Sequence, residues 1–378
     1  MTAEFILHIG TEKTGTSTIQ SALKQNSDWL KERGIWLPQT LRPQGDGDNQ
    51  IILPAIFCEG QEKESILERA GKPADWTTSQ FSSHTREELA IEVSSLMTQG
   101  VNTFLVSSEH LSTRLRSVAE IKALKDWLEP IGKVKQIVVY LRRQDLYLAS
   151  SYSTDLKSGR TKPFNIPNPK WAHHRYDYKN LLQLWGKVFG EHLLTARPFE
   201  KNRFLQNNLL VDFLGILNIN ETIPIQPDAI NPSLDTNALA ALLGFNLWID
   251  QRQSKPTQKV RERFVRFLES TNSSDRMTLS AQQANDFLAR YTEQNNWVTE
   301  NFIADGLPLF SEQIDSTQKE NLPTATPADA LYEILSKILL TENSPNESQT
   351  LPLNYQPRLS WLHEILASSN KIIRKIKS

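Results

Sequence analysis

Residues 4–23, EFILHIGTEKTGTSTIQSAL, limit what this chain can fold into more than any other segment. An apolar run (Phe5, Ile6, Leu7, Ile9) stops at Gly10, and a loop of Thr, Lys and Gly follows. A helical pattern then begins at Thr16 or Ser17, with Ile19, Ala22 and Leu23 at helical spacing. A strand, a loop of small residues and a helix amino terminus form an anion site. Unpaired N–H groups face outward there, and the helix dipole adds about half a positive charge. Lys13 brings a full charge into the same loop. A phosphate or a sulfate is the expected guest.

Other apolar stretches resemble the first. Residues 103–106, 136–141 and 193–196 read as short buried strands, and helical patterns over 16–33, 86–97, 121–128 and 178–189 lie between them. Gly34, Gly100 and Gly190 follow three of these helical patterns, and Pro130 follows the remaining one. Strands alternating with helices predict an α/β fold, a mainly parallel sheet of P-loop type covered on both faces. In such sheets ligands bind beyond the carboxyl ends of the strands. Residues 233–304 read as a helical subdomain, completing a domain of 1–310. The Ser-, Thr-, Asn-, Gln- and Pro-rich stretch 311–357 reads as a linker with a short helix at 330–340. The amphipathic, basic segment 358–378 reads as a docked or frayed tail, with weak membrane-surface contact as a lesser alternative.

The totals narrow the function classes. The chain has 378 residues and a net charge of −1, so no global field draws it to nucleic acid. Cys58 is the only cysteine, which rules out an intrachain disulfide and suggests a reducing compartment. The first apolar run is too short for a signal peptide, and no stretch approaches the roughly 20 apolar residues of a membrane span. A cytoplasmic enzyme is the expectation.

The loop from Gly10 to Ser17, G-T-E-K-T-G-T-S, is similar to a Walker A loop, but Thr16 stands where that motif has its lysine. A second basic site lies in QIVVYLRRQDLYLASSYSTDLKSG, residues 136–159. Arg142 and Arg143 close a strand, and Ser150 follows Arg142 by eight residues. The pair converges if the arginine stays on the strand end while the following helix turns back past it. A guanidinium fork with a hydroxyl suits a second phosphate. The alternative is a surface arginine paired with Asp145 or Asp155.

Together these residues resemble the sulfotransferases that use 3′-phosphoadenosine 5′-phosphosulfate (PAPS), over roughly residues 4–310. The family's first motif stands here as Lys13, Thr14, Gly15, Thr16 and Ser17, and its second as Arg142, Ser150 and Tyr152. The phrases HIGTEKTGTSTIQ and SSEHLS look like bacterial members. The resemblance implies PAPS as co-substrate, with the first loop on its 5′-phosphosulfate and Arg142 with Ser150 on its 3′-phosphate. Thr18 stands where animal members commonly have a tryptophan, and their late Arg-Lys-Gly motif is missing, so the adenine contacts are unassigned. Arg197 is either a nucleotide contact or an ion-pair partner of Glu200.

Sulfuryl transfer, like phosphoryl transfer, asks for alignment, a stabilised leaving oxygen and a base. Lys13 suits the leaving group, and no metal is required. Glu109 is the first candidate for the base and His110 the second, since the family uses either residue type. Their structural alternatives are a helix cap or an ion pair with Arg114 or Arg116 for Glu109, and a hydrogen-bonded structural role for His110. The basic and aromatic segment 157–176 could wall an acceptor site for a small molecule or glycan, or be a solvated loop. Adjacent His173 and His174 lack metal-ligand spacing. Two rival readings remain: a P-loop phosphotransferase using ATP and Mg²⁺, with Glu109 as its acidic residue, and a non-catalytic nucleotide-binding scaffold.

Overall fold

The computed structural model describes residues 2–43, 49–60, 63–168, 174–226, 233–250, 258–270 and 273–323. The anticipated helix at 330–340 and the tail at 358–378 lie outside them, as do Lys170, Trp171 and His173.

The chain has an α/β fold built on five parallel strands: β1 (Ala3–His8), β2 (Ile35–Trp36), β3 (Thr103–Ser107), β4 (Gly132–Leu141) and β5 (Leu194–Pro198), in the order β2-β3-β1-β4-β5. Leu7 of β1 stands between Val106 of β3 and Ile137 of β4. β1 is therefore central, and the chain crosses it in passing from β3 to β4. Ligands of open parallel sheets gather at the carboxyl ends where the winding reverses in this way.

The apolar runs anticipated as strands lie on β1, β3, β4 and β5, whose bounds differ mainly in β4, which starts earlier, at Gly132. β2 is the addition. Its two residues pair with Thr103 and Phe104, and the Gly34 carbonyl accepts the N–H groups of Asn102 and Thr103.

The helices among the described residues are α1 (Thr16–Gln25), α2 (Ser27–Lys31), α3 (Ile52–Phe57), α4 (Lys63–Arg69), α5 (Thr78–Met97), α6 (His110–Arg114), α7 (Val118–Leu128), α8 (Gln144–Lys157), α9 (Tyr178–Phe189), α10 (Leu209–Ile216), α11 (Thr236–Asp250), α12 (Gln258–Ser270), α13 (Ala281–Ala289) and α14 (Thr292–Phe302). Side-chain caps set several starts. Thr77 and Gln80 form a capping box on α5, Ser117 accepts from Glu120 N–H on α7, and Asp177 accepts from Asn180 N–H on α9. None of these helices is long and apolar enough to cross a membrane.

The single helix anticipated over 16–33 is two helices. Asn26 breaks it, because its side-chain amide donates to the Ala22 carbonyl at 2.7 Å and to the Ile225 carbonyl at 2.9 Å, and its Oδ1 accepts the Ile225 N–H. An asparagine side chain that competes for backbone partners in this way favours a break over helix continuation.

Strand residues alternate between two buried layers. Phe5, Leu7, Phe104, Val106, Ile137, Val139 and Leu141 join the core that includes residues of α3, α5, α7 and α9. Ile6, Leu105, Val138 and Tyr140 join a second core with Ile19, Leu23 and Leu30 of α1 and α2 and Phe213 of α10. Both faces are covered, as a parallel sheet requires.

The chain divides into two compact units. The first comprises Met1–Gln144, Pro167–Ile230 and Phe287–Gln313, and holds the whole sheet. The second comprises Asp145–Ile166, Asn231–Asp286 and Ile314–Ser378. The anticipated helical stretch 233–304 is thus shared, with α14 in the first unit. Within the second unit, Tyr152 and Leu156 of α8 pack with Leu239 and Leu242 of α11 and Leu268 of α12. Lys157 pairs there with Glu269 at 2.6 Å.

Candidate active site at the carboxyl edge of the sheet

Beyond β1 the backbone leaves the sheet under tight constraint. The Ile9 N–H donates to the Val138 carbonyl, Tyr140 N–H to the Gly10 carbonyl at 2.7 Å, and Thr11 N–H to the Tyr140 carbonyl at 2.9 Å. The Thr11 hydroxyl donates to that same Tyr140 oxygen. Gly10 has φ +100°, and a Cβ there would stand 2.9 Å from both Cα and Cβ of Glu109. Only glycine lets the loop after β1 pass so close to the loop after β3.

The loop then closes on itself. The Thr11 carbonyl accepts the Thr14 hydroxyl at 2.6 Å and the Thr16 hydroxyl at 3.1 Å. Thr16, at the position of the Walker lysine, is buried and holds the loop together. Gly15, at φ +71°, is the N-cap of α1, and Ser17 in the first turn is exposed. Lys13 also has positive φ, +66°, uncommon for a residue with a side chain.

Arg142 meets this loop directly: its Nη1 donates to the Lys13 carbonyl at 2.8 Å. Its guanidinium carbon lies 5.7 Å from the centre of the Phe199 ring, and the buried Tyr178 hydroxyl donates to its backbone carbonyl. Arg142 is thus held at both ends. Lys13, Thr14, Gly15, Thr16, Arg142, Glu109 and His110 all belong to the first unit, on the loops beyond β1, β3 and β4 or, for Thr16 and His110, at the first residue of the helix that follows. Ser150 belongs to the second unit, half-buried on α8. Tyr152, in that same unit, is buried with its ring edge-on to Phe164 and under the Arg160 guanidinium.

The two base candidates differ in their surroundings. Glu109 precedes α6 without a side-chain cap, and its Oε2 accepts the Gln20 amide at 3.1 Å. Gln20 is buried on α1 and also donates to the Ser107 carbonyl. His110 has its Nδ1 buried with no hydrogen-bond partner among the described residues, 4.0 Å from Oε1 of Glu12. Burial lowers its pKa, the Glu109 and Glu12 carboxylates oppose that, and Arg114 and Arg69 add to it. The other Glu12 oxygen faces Arg175 at 3.9 Å. Burial also lowers the pKa of His174, with help from Arg116 and Arg175.

Arg197 does not pair with Glu200. It pairs with Asp212, which also accepts the Tyr140 hydroxyl at 2.7 Å and the Leu205 N–H at 2.9 Å. The Glu200 carboxylate instead accepts Ser311 N–H, the Ser311 hydroxyl and Glu312 N–H, so the start of the stretch read as a linker is anchored to the loop after β5. Arg175 belongs to the basic segment 157–176 read as an acceptor wall, whereas Glu12 and Gln20 carry no role in the sequence reading. Glu12 lies inside the glycine loop, a usable signal; the role of Gln20 and the approach of Arg175 to Glu12 come only from the fold. Among the described residues no group of three or more His, Cys, Asp or Glu could hold a metal ion.

No family model matches the chain, and no solved structure matches it. A curated protein of Archaeoglobus fulgidus, named only "Uncharacterized protein", is 26% identical over 215 residues. That match covers 55% of this chain and 57% of the relative, so the chain spans little more than half the length of the protein it resembles.

Proposed function

We propose that this chain is a sulfotransferase that binds PAPS at the carboxyl edge of its sheet and directs the sulfuryl group to a hydroxyl or amine of an acceptor. The hydrogen bond from Arg142 to the Lys13 carbonyl carries the reading, because it joins the two basic elements named by the PAPS-sulfotransferase motifs. The donor set suits a nucleotide with phosphates at both ends of its ribose. A lysine and the amino terminus of α1 serve one anion, and a guanidinium beside them serves another. Ser150 enters this reading through its spacing from Arg142 in the sequence alone.

When bound, PAPS would supply the sulfuryl group. The Lys13 ammonium and the N–H groups at the start of α1 hold the phosphate oxygen that departs, where positive charge lowers the barrier most. Glu109 or His110 takes the acceptor proton, a role typically worth about 10²–10⁴-fold in rate. The basic segment 157–176 makes a carbohydrate or lipid-linked glycan the favoured acceptor class. Incubation with isotopically labelled PAPS and a cell extract, followed by mass spectrometry, tests the activity. A labelled sulfated product supports it; label that stays on PAPS in every fraction counts against it.

A further inference from the structure

The loop beyond β1 contributes a carboxylate that the PAPS reading leaves without a role. Glu12 immediately precedes Lys13, yet its side chain faces the loop after β3, with Oε1 4.0 Å from His110 Nδ1 and Oε2 3.9 Å from Arg175. His110 Nδ1 is buried and has no hydrogen-bond partner among the described residues. A buried ring nitrogen left without a partner is costly, and a carboxylate just beyond hydrogen-bond reach is its natural acceptor. Catalytic hydrogen bonds are often long before substrate binds.

We propose that Glu12 is the positioning residue for His110, and that His110, rather than Glu109, is the base. This rests on the sulfotransferase reading of the same site. A proton on Nδ1 directed at Glu12 leaves the Nε2 lone pair to accept a proton, the tautomer a general base needs. Glu109 is less suited, because its Oε2 is engaged by Gln20 at the root of α1. In the reaction the acceptor O–H bond breaks and its proton passes to Nε2. The acceptor oxygen bonds to sulfur as the bond from sulfur to the 5′-phosphate oxygen breaks. The products are the sulfated acceptor, 3′,5′-ADP and an imidazolium, which Glu12 stabilises until water takes the proton.

Glu109, Glu12, Arg114 and Arg69 are the charges that act on His110, and Arg175 lies 3.9 Å from Oε2 of Glu12. The test combines an NMR titration of His110, calorimetry with 3′,5′-ADP, and the pH profile of kcat/KM for PAPS turnover, in the parent, Glu12→Gln and His110→Asn. Glu12→Gln removes an attractive charge, so the His110 titration and the acid limb of kcat/KM both move down by about one pH unit. His110→Asn abolishes that limb and lowers kcat by roughly 10²-fold or more, while 3′,5′-ADP still binds. Binding of 3′,5′-ADP with a His110 titration and an acid limb that ignore Glu12→Gln overturns the dyad and leaves the sulfotransferase reading standing. Failure of the parent to bind 3′,5′-ADP overturns that reading and the base role with it, whatever His110 titrates like.

Discussion

Arg142 donates a hydrogen bond from Nη1 to the carbonyl oxygen of Lys13 at 2.8 Å, tying the end of β4 to the glycine loop that follows β1. Lys13 sits at φ +66°, a conformation that costs a residue with a Cβ about 1 kcal/mol or more. The guanidinium therefore braces a strained turn as well as supplying charge. Arg142→Ala removes a charged hydrogen bond worth about 1.5–3 kcal/mol. Amide hydrogen exchange read by mass spectrometry then shows faster exchange in residues 10–17, with the core strands little changed. Unchanged protection of that loop would contradict the bracing role.

Gly10 is the point of closest approach between the loops after β1 and β3. A methyl group there meets Glu109 Cα and Cβ at 2.9 Å, on a backbone with φ +100°. Neither obstacle is a flexible side-chain end, so Gly10→Ala should cost about 2–5 kcal/mol of stability from strain and overpacking together. Urea unfolding checks this, and a loss below about 0.5 kcal/mol would mean that the approach is looser than described.

The buried pair at the end of β1 gives a pH signature. His8 is fully buried, its Nδ1 is 2.8 Å from the Ser107 hydroxyl, and desolvation lowers its pKa to about 3. Between pH 6.5 and 3 the unfolded chain takes up a proton that the native chain refuses, so the unfolded state binds more protons. Stability consequently falls as pH falls through that window, by up to about 1.4 kcal/mol per unit from this group. His8→Asn removes that component. Its stability curve should be flatter than the parent's over this range in urea titrations, and parallel curves would show that His8 titrates normally.

Asp212 gathers Tyr140, Arg197 and the Leu205 N–H beneath the loop after β5. Asp212→Ala leaves a buried tyrosine hydroxyl and the partly exposed Arg197 without their acceptor, which should cost about 2–3 kcal/mol. Tyr140→Phe loses only one hydrogen bond, about 1 kcal/mol. Similar melting temperatures for the two variants would contradict the view that the carboxylate organises this network.

How far the sequence could be read depends on where the relevant signal lies. The last five residues of β4 are all buried, so 137–141 read as an unbroken apolar run, and the glycine loop advertised its own turn. β2 has only Ile35 and Trp36, too short for any period to show; its pairing with β3 creates it. The break at Asn26 depends on Ile225, far away in the chain. The site divided in the same way. Residue type and position beyond β1 and β4 single out Lys13 and Arg142 as candidates. The partners of Arg197 and the facing of Glu12 toward His110 are products of tertiary structure, with no local pattern to announce them.

The most direct test of nucleotide binding at the Lys13–Arg142 edge is calorimetric titration of 3′,5′-ADP in the presence of EDTA, with Mg²⁺ and ATP as the comparison. Metal-independent binding of 3′,5′-ADP, weakened at least about tenfold by Lys13→Ala and again by Arg142→Ala, is the predicted result, a loss of about 1.4 kcal/mol or more each. Binding of ATP only with Mg²⁺, or of neither nucleotide, would contradict it.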